Sequence, residues 1–342
     1  MASRGHYGVG VTTLSMVDTS RPTEANHDAP AQPERSLDVE VWYPAAAAPS
    51  ATETRDVALD PSGGPYPLII FAHGLSAFSR QSAEYTAHLA SHGYVVASPG
   101  FPQSRIGTPG GPRLGALLDQ PADVSFVIDD LLKLSRATDG ALVGSIDEER
   151  IGMTGHSLGA LTTMLATHGA GRDARIKAIA PISPVGCLLG APLVADASLP
   201  TMVIGGSVER IVEPATVRGV YDAARGPKYE AEIIGADHTR FADTNITDVD
   251  LGSDIVARLA GPDVTTDALK IARATGADAV ACVRHSDPTD PPISGERQRE
   301  LLRIVATPFF DAYLKGDRGA MRFLTETLPS LDAIRFKFQP SS

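Results

Sequence analysis

Residues 150–168 of the 342-residue chain read RIGMTGHSLGALTTMLATH, and they are the part of the sequence that indicates the fold most clearly. An apolar, strand-like run comes first, followed by the pentapeptide GHSLG (155–159) and then by small residues typical of a tightly packed helix. A strand that turns sharply into a helix needs glycines on both sides of the turn, and the central serine is left exposed at its apex. The pattern G-x-S-x-G in this context predicts that Ser157 is a nucleophile.

The sequence from Pro67 onwards alternates between short apolar runs and longer amphipathic runs. The apolar runs predict strands at Leu68–Ala72, Tyr94–Ser98, Ile151–Thr154, Ala178–Pro181, Thr201–Ile204 and Tyr229–Ile234. The amphipathic runs predict helices at Gln81–His92, Pro121–Leu134, Leu158–His168, Pro214–Ala224 and Gly295–Leu314. This alternation is typical of an α/β fold with a mostly parallel central sheet flanked by helices.

Two further runs precede this region, Tyr7–Val17 and Ser36–Tyr43, and they predict an antiparallel pair of strands. We expect a single domain over residues 1–342. Its expected parts are N-terminal strands and loops (1–66), a catalytic core (67–241), a helical insertion or lid (242–300) and a C-terminal helix and tail (301–342).

Composition excludes several classes of protein. Hydrophobic residues make up 43% of the chain and charged residues 21%, as in ordinary globular proteins. The formal net charge is −11 and there is no basic cluster, so we expect no nucleic-acid partner. The longest apolar runs, such as LIIFA (68–72), are too short to span a bilayer, so we expect no integral membrane segment.

A serine hydroxyl is a weak nucleophile without a neighbouring base. His238 is the predicted base, because it ends the loop GADH (235–238) directly after the predicted strand Tyr229–Ile234. His285 is the alternative, but it lies in a polar stretch with no strand before it. Three other histidines are expected on solvated helix faces: His88, His92 and His168.

The base needs an acid that orients its ring and balances its charge. Glu209 is the predicted acid, because it follows the apolar run Leu199–Ile204 and gives the chain order serine, acid, histidine. The alternatives are Asp196, Glu213 and Asp243, of which Asp196 precedes the strand and should lie at its other end.

A tetrahedral oxyanion needs fixed hydrogen-bond donors, each worth roughly 3 kcal/mol of the barrier. The predicted donors are the backbone N–H groups of Leu158 and of Leu75, with His73 in a structural role beside them. This chemistry requires no metal or organic cofactor, and the acidic stretch 243–254 matches a calcium loop only weakly because it lacks the turn glycine. The residues expected to line the substrate pocket are Gly74, Phe78, His156, Val185 and Phe241.

Several stretches together resemble one family: PLIIFAHGLSAFSRQSAEYTAHLASHGYVVASPGFPQS (67–104), PADVSFVIDDLL (121–132), RIGMTGHSLGA (150–160), LPTMVIGGSVERIVEP (199–214) and IIGADHTRF (233–241). They resemble the α/β-hydrolase superfamily, in particular the dienelactone-hydrolase-like branch with platelet-activating-factor acetylhydrolases and cutinase-like polyester hydrolases. The resemblance implies hydrolysis of carboxylic esters through an acyl-enzyme. It implies Ser157, His238 and an acid as catalytic residues, with Leu75 and Leu158 as oxyanion donors.

The expected function is therefore that of a serine carboxylesterase acting on short- to medium-chain esters. A polyester hydrolase and a phospholipid acetylhydrolase are the alternatives within this chemistry. A non-catalytic binding protein on the same scaffold is the alternative of another class. In each case we expect a small-molecule, lipid or polymeric ester as the partner.

The chain departs from the family pattern at the active site. Some acetylhydrolases carry the acid after the strand that follows the nucleophile helix, where this chain reads APISP (180–184) without a carboxylate, and this again favours Glu209. The polyester hydrolases carry a tryptophan where Pro184-Val185 stands here, an aromatic residue at the position of Leu75 and a methionine at that of Leu158. The aromatic clamp for terephthalate units is therefore missing.

The two cysteines, Cys187 and Cys282, are 95 residues apart and form no C-x-x-C motif, so no structural zinc site is expected. They form either one disulfide or two separate buried thiols. The N-terminus MASRGHYGVG lacks the basic and apolar parts of a secretory signal. The protein is then either cytoplasmic or a mature exported form, and a disulfide would favour the exported form.

Overall fold

The computed structural model describes residues 3–50, 52–251, 261–278 and 288–340, and a ten-stranded mixed sheet runs through it. The strands are β1 (Gly8–Asp18), β2 (Arg35–Ala45), β3 (Thr54–Arg55), β4 (Tyr66–Ala72), β5 (Val95–Pro99), β6 (Ile146–His156), β7 (Ile176–Ile182), β8 (Thr201–Gly206), β9 (Lys228–Ile233) and β10 (Ile334–Gln339). Their order across the sheet is β10-β9-β8-β7-β6-β4-β5-β2-β1-β3. The six strands from β9 to β5 in this order are parallel. β10 pairs antiparallel with β9, and β2 pairs antiparallel with both β5 and β1, while the two-residue β3 pairs parallel with β1.

Helices cover both faces of the sheet. They are α1 (Ala83–Ser91), α2 (Gln120–Ser135), α3 (Leu158–Leu165), α4 (Ala191–Val194), α5 (Pro214–Ala223), α6 (Val264–Thr275), α7 (Gly295–Leu314) and α8 (Arg318–Arg322). Short 3₁₀ segments lie at Leu114–Leu118, Gly186–Leu188, Thr239–Phe241 and Leu328–Ser330, and one π turn lies at Phe323–Thr327. The predicted mostly parallel sheet flanked by helices is thus confirmed.

Successive side chains of the buried strands point to opposite faces of the sheet, and each face has its own hydrophobic core. In β4, Leu68 and Ile70 join the core beneath α2, α3, α5 and α6, while Ile69 and Phe71 join the core beneath α1, α7 and α8. All four side chains are fully buried, which explains why the strand reads as a continuous apolar run. Because both faces are covered, polar chemistry is left to the carboxyl ends of the strands.

The C-terminal segment differs from the expectation of a helix and a tail. After α7 and α8 the chain returns as β10, which pairs antiparallel with β9. Its sequence IRFKFQ alternates apolar and polar residues, and the rings of Phe336 and Phe338 each lie 6.1 Å from that of Tyr229. The alternation was therefore a usable signal for a half-buried edge strand.

A buried ion pair joins the N-terminal hairpin to the helical layer. Asp123 of α2 accepts hydrogen bonds from Nε (2.6 Å) and Nη2 (2.8 Å) of Arg35 at the start of β2. Arg21 donates a third bond to the same carboxylate at 2.8 Å. The side chains of Arg35 and Asp123 are 2% and 0% exposed, so neither charge has water to replace its partner.

We expect Asp123→Ala to lower the free energy of unfolding by about 3–5 kcal/mol, because it leaves the buried guanidinium of Arg35 without a counter-ion. Urea unfolding followed by circular dichroism measures the change. Asp129→Ala is the matched control on the same helix: Asp129 is 64% exposed and pairs with Arg175, so its loss should change stability by less than about 1 kcal/mol. Equal effects of the two substitutions would contradict the prediction.

Candidate active site

The turn between β6 and α3 holds Ser157 in a backbone conformation that serine rarely adopts. Its φ is +57°, in the left-handed region, and its N–H donates to the carbonyl of Ile182 at 2.9 Å. The two flanking positions must be glycine because a side chain there would clash with the backbone. A Cβ on Gly159 would lie 1.9 Å from the carbonyl oxygen of Ala72, and one on Gly155 would lie 2.3 Å from that of Gly159. The turn is thus a sharp elbow that places Ser157 at the carboxyl edge of the sheet.

Glu209 and His238 meet at the same edge. Nδ1 of His238 donates to Oε2 of Glu209 at 3.0 Å, and the two side chains are 5% and 0% exposed. The other carboxylate oxygen, Oε1, accepts bonds from the backbone N–H of Gly206 (2.7 Å) and the hydroxyl of Ser183 (2.5 Å). Because Nδ1 faces Glu209, the imidazole has Nε2 left for a contact on its other side.

Asp248, a buried carboxylate, fixes the loop that carries His238. It accepts the backbone N–H groups of His238 (3.0 Å), Thr239 (2.9 Å) and Arg210 (2.7 Å). The loops after β8 and β9 are therefore tied to one side chain, which keeps Glu209 and His238 in register.

The pKa values of two neighbouring histidines, His238 and His156, are shifted in opposite directions. Burial opposes the charged form of His238, but the hydrogen bond and the charge of Glu209, with the charges of Asp248 and Asp237, raise its pKa above the usual value. Burial and the nearby His238 lower the pKa of His156 well below that value. The ring centroids are 4.6 Å apart. Of the pair, His238 is therefore the stronger base.

A cavity of about 560 Å³ opens at this edge, and both Ser157 and His238 line it. Four of the five residues expected to line the pocket do so, namely Gly74, Phe78, His156 and Val185, and the two predicted oxyanion donors, Leu75 and Leu158, line it as well. Phe241 does not, because it is 1% exposed and lies behind His156, with the ring centroids 6.1 Å apart. Leu158 is the first residue of α3, where a backbone N–H has no partner within the helix.

Of the alternative acids, Asp243 lines the same cavity, whereas Asp196 and Glu213 do not. Asp196 accepts from the backbone N–H of Gly169 at 3.0 Å, near the end of α3. Glu213 is the N-cap residue of α5. The Oδ2 atom of Asp243 accepts the N–H of Glu84 at 2.9 Å, in the first turn of α1. The alternative base His285 and the second cysteine, Cys282, lie outside the described residues.

Sequence reasoning missed several residues of this site and misplaced others. Asp248 and Ser183 carried no motif, since each acts through a tertiary contact with another loop. The expectation of solvated helix faces is wrong for His88 and His168, which are 1% and 3% exposed. His88 is covered by α7, where its Nε2 lies 3.1 Å from the hydroxyl of Thr307.

Among the residues that the structure describes, no group of three or more His, Cys, Asp or Glu side chains could hold a metal ion. In the same part of the chain, no helix has the length and apolar character needed to cross a membrane.

Comparison with known proteins identifies the type of fold. The family model described as platelet-activating factor acetylhydrolase, isoform II, matches residues 41–102. Among solved structures, the chain is similar to a ferulic acid esterase from Streptomyces cinnamoneus, with a TM-score of 0.60 and 18% sequence identity over 91% of each chain. No curated protein matches the sequence significantly. The chain has the α/β-hydrolase fold, as the sequence resemblance predicts.

The raised pKa of Asp243 predicts that this side chain makes the stability of the protein depend on pH. Burial and the charge of Glu84 raise its pKa to about 6, against about 3.9 for a free aspartate. The folded state therefore binds this proton more tightly than the unfolded state, and the carboxylate opposes folding increasingly as the pH rises from about 4 to above 6. Asp243→Asn keeps an acceptor for the N–H of Glu84 and removes the charge. We expect thermal unfolding to show a gain of about 2 kcal/mol at pH 8 and little gain at about pH 3.5, below both pKa values.

Asp250→Asn is the control for this prediction. Hydrogen bonds from Thr247 lower the pKa of Asp250, which is opposite in direction to the shift at Asp243. Asp250→Asn should therefore give no gain at pH 8. A gain from Asp243→Asn that is the same at both pH values would contradict the assignment of its pKa.

Proposed function

We propose that this protein is a serine carboxylesterase that hydrolyses short- to medium-chain esters through an acyl-enzyme. The observation that carries the proposal is the buried contact of 3.0 Å between Glu209 and His238, on the cavity that Ser157 also lines. The names of the matched family and of the similar structure both denote ester-hydrolysing enzymes, which supports hydrolysis of ester bonds.

In the proposed mechanism the Oγ of Ser157 attacks the ester carbonyl while Nε2 of His238 accepts the hydroxyl proton. Glu209 keeps its bond to Nδ1 and balances the imidazolium charge. The backbone N–H groups of Leu75 and Leu158 stabilise the oxyanion, and His238 then gives the proton to the leaving alcohol. Water, deprotonated by the same histidine, hydrolyses the acyl-enzyme and releases the acid.

The cavity favours a neutral, aliphatic ester. Its lining includes the aliphatic residues Leu114, Leu188 and Ile211. Arg80 also lines it, but its guanidinium is paired with Glu40 at 2.9 Å and with Glu53, so its charge is already balanced. An anionic substrate would have to compete with these carboxylates.

Helix α6 forms one wall of the proposed acyl site. Val264 and Ala268 line the cavity, and the buried carboxylate of Asp267 accepts the N–H of Gly115 at 2.8 Å. At the other end of the helix, the Thr275 hydroxyl donates to the carbonyl of Leu188 at 2.7 Å. Because both ends are bonded to core segments, we propose that α6 is a fixed wall that limits acyl length, in place of the expected lid.

We expect Ala268→Phe to shorten the accepted acyl chain, because a phenyl ring would fill the cavity beside α6. The ratio of kcat/KM for p-nitrophenyl octanoate to that for the acetate should fall by about tenfold or more. Leu269→Phe is the matched control, since Leu269 is 46% exposed on the same helix and should leave the ratio unchanged. An unchanged ratio in Ala268→Phe would remove α6 from the acyl site.

The nucleophile is tested with Ser157→Ala. We expect hydrolysis of p-nitrophenyl esters to fall by at least about 10³-fold, with the circular dichroism spectrum unchanged. A fluorophosphonate probe should label the wild-type protein but not Ser157→Ala. It should also label the control variant Ser79→Ala, since Ser79 lies on the loop before α1. A non-catalytic binding protein would remain unlabelled in every form, and activity retained in Ser157→Ala would refute the proposed mechanism.

The acid is tested by comparing two carboxylates. Glu209→Gln should lower kcat by about 10²- to 10⁴-fold, because an amide cannot balance the imidazolium charge and can favour the wrong tautomer. Asp243→Asn should lower it by less than about threefold, because Asp243 bonds to α1. The reverse ranking would assign the acid to the loop after His238.

The two alternative substrates differ in what they require of the cavity. Aromatic polyesters need a ring that can stack on the terephthalate unit, and Leu75 and Val185 are aliphatic where those enzymes carry aromatic residues. The match to the acetylhydrolase family covers the loop at Leu75 but ends before Ser157. These observations support simple aliphatic esters over either alternative.

The disulfide between Cys187 and Cys282 stays a proposal. Cys187 is buried within the 3₁₀ segment Gly186–Leu188, which follows the carboxyl end of β7, and Cys282 lies outside the described residues. A linked peptide in a non-reduced digest would establish the bond and favour the exported form.

A further inference from the structure

A chain of three buried hydrogen bonds connects the loops of the candidate active site. The backbone N–H of Gly74 donates to Oε1 of Gln81 at 2.7 Å. The amide nitrogen of Gln81 donates to Nδ1 of His156 at 2.7 Å, and Nε2 of His156 donates to the carbonyl oxygen of His238 at 3.0 Å. Gln81, His156 and His238 are 4–7% exposed.

The chemistry of the donors fixes the direction of every bond. The N–H of Gly74 can only donate, so the amide oxygen of Gln81 must face it and the NH₂ group must face His156. Nδ1 of His156 therefore accepts, and its single proton is on Nε2, where the carbonyl of His238 needs a donor. Glutamine is suited to this position because its amide has an acceptor at one end and a donor at the other.

We propose that Gln81 is a positioning residue that aligns the oxyanion loop, the serine elbow and the histidine loop, and that holds His156 as a neutral imidazole with its proton on Nε2. The proposal rests on the proposed function and names a residue to which the motifs of the sequence assign no role. Gln81 also binds through its backbone, since its carbonyl accepts the N–H of Asp243 at 2.9 Å. Segments far apart in the chain thus converge on one side chain.

The protonation state of His156 matters because of what surrounds His238. The charged or titratable groups that face His238 are Glu209 from the loop after β8, Asp237 and Asp248 from the segment after β9, and His156 from the elbow. A positive His156 with its ring centroid 4.6 Å away would oppose the imidazolium that His238 must become. Gln81 donates to Nδ1 and so removes the site where a second proton would bind.

The test replaces this donor with an acceptor of nearly the same shape. In Gln81→Glu the carboxylate can still accept the N–H of Gly74, but it demands a proton on Nδ1 of His156. The imidazolium so formed should lower the pKa of His238 and move the acid limb of the pH profile of kcat/KM down by about one pH unit. In Gln81→Leu, which orients neither neighbour, kcat should fall by about 10- to 100-fold with KM within about threefold of the wild-type value.

The control is Gln103→Glu, at another buried glutamine, whose amide donates to the carbonyl of Glu24 at 2.6 Å. It should leave the midpoint of the acid limb unchanged even if it lowers the melting temperature. The positioning role is overturned if Gln81→Glu shifts the midpoint no more than Gln103→Glu does, or if folded Gln81→Leu keeps the wild-type kcat. Should Gln81→Leu fail to fold, the nearly isosteric Gln81→Glu decides alone.

Fluorophosphonate labelling of the wild-type protein separates this proposal from the proposed function. If Ser157 is labelled but the Gln81 variants keep the wild-type kcat and the wild-type pH profile, only the positioning role is refuted. An unlabelled and inactive wild-type protein would refute the esterase mechanism, and the positioning role with it.

Discussion

The left-handed turn at Ser157 is the constraint on which the rest of the structure depends. A non-glycine residue in this conformation costs on the order of 1–3 kcal/mol and persists only where its surroundings hold it. Here the surroundings are the carbonyl of Ala72, packed against Gly159, and the carbonyl of Ile182, bonded to the serine N–H. The elbow therefore requires β4 and β7 on either side of β6, and this requirement fixes the centre of the sheet.

Buried carboxylates give the loops around the elbow their geometry. Glu209, Asp237 and Asp248 are 1–4% exposed, and each would be costly to bury without partners. Each instead accepts backbone N–H groups: Glu209 that of Gly206, Asp237 that of Arg240, and Asp248 those of three residues in two loops. The same three charges raise the pKa of His238. One set of groups thus orders the loops and makes the imidazole a better base.

The parts of the site that depend on strand ends could be predicted from the sequence, and those that depend on contacts between loops could not. Ser157, Glu209 and His238 each follow a recognisable apolar run, and parallel strands bring such positions to one edge. Asp248 and Gln81 follow no strand, and each binds groups of other loops that come within reach only in the folded chain. Strand β10 was missed although its residues alternate, because an edge strand buries only one face.

The residues that would select the substrate also lie outside the strand ends. The fold is what this chain shares with an esterase of 18% identity, and the family match at residues 41–102 includes the loop at Leu75 but no part of α6. The proposed ester chemistry requires only the shared fold, since in that mechanism attack and oxyanion stabilisation occur at the sheet edge. In the proposed function the acyl group extends beyond that edge, into the part of the cavity lined by Val264 and Ala268 of α6 and by Leu188. Since α6 is bonded to Gly115 and Leu188 at fixed points, the length of acyl chain that fits follows from the side chains on its inner face.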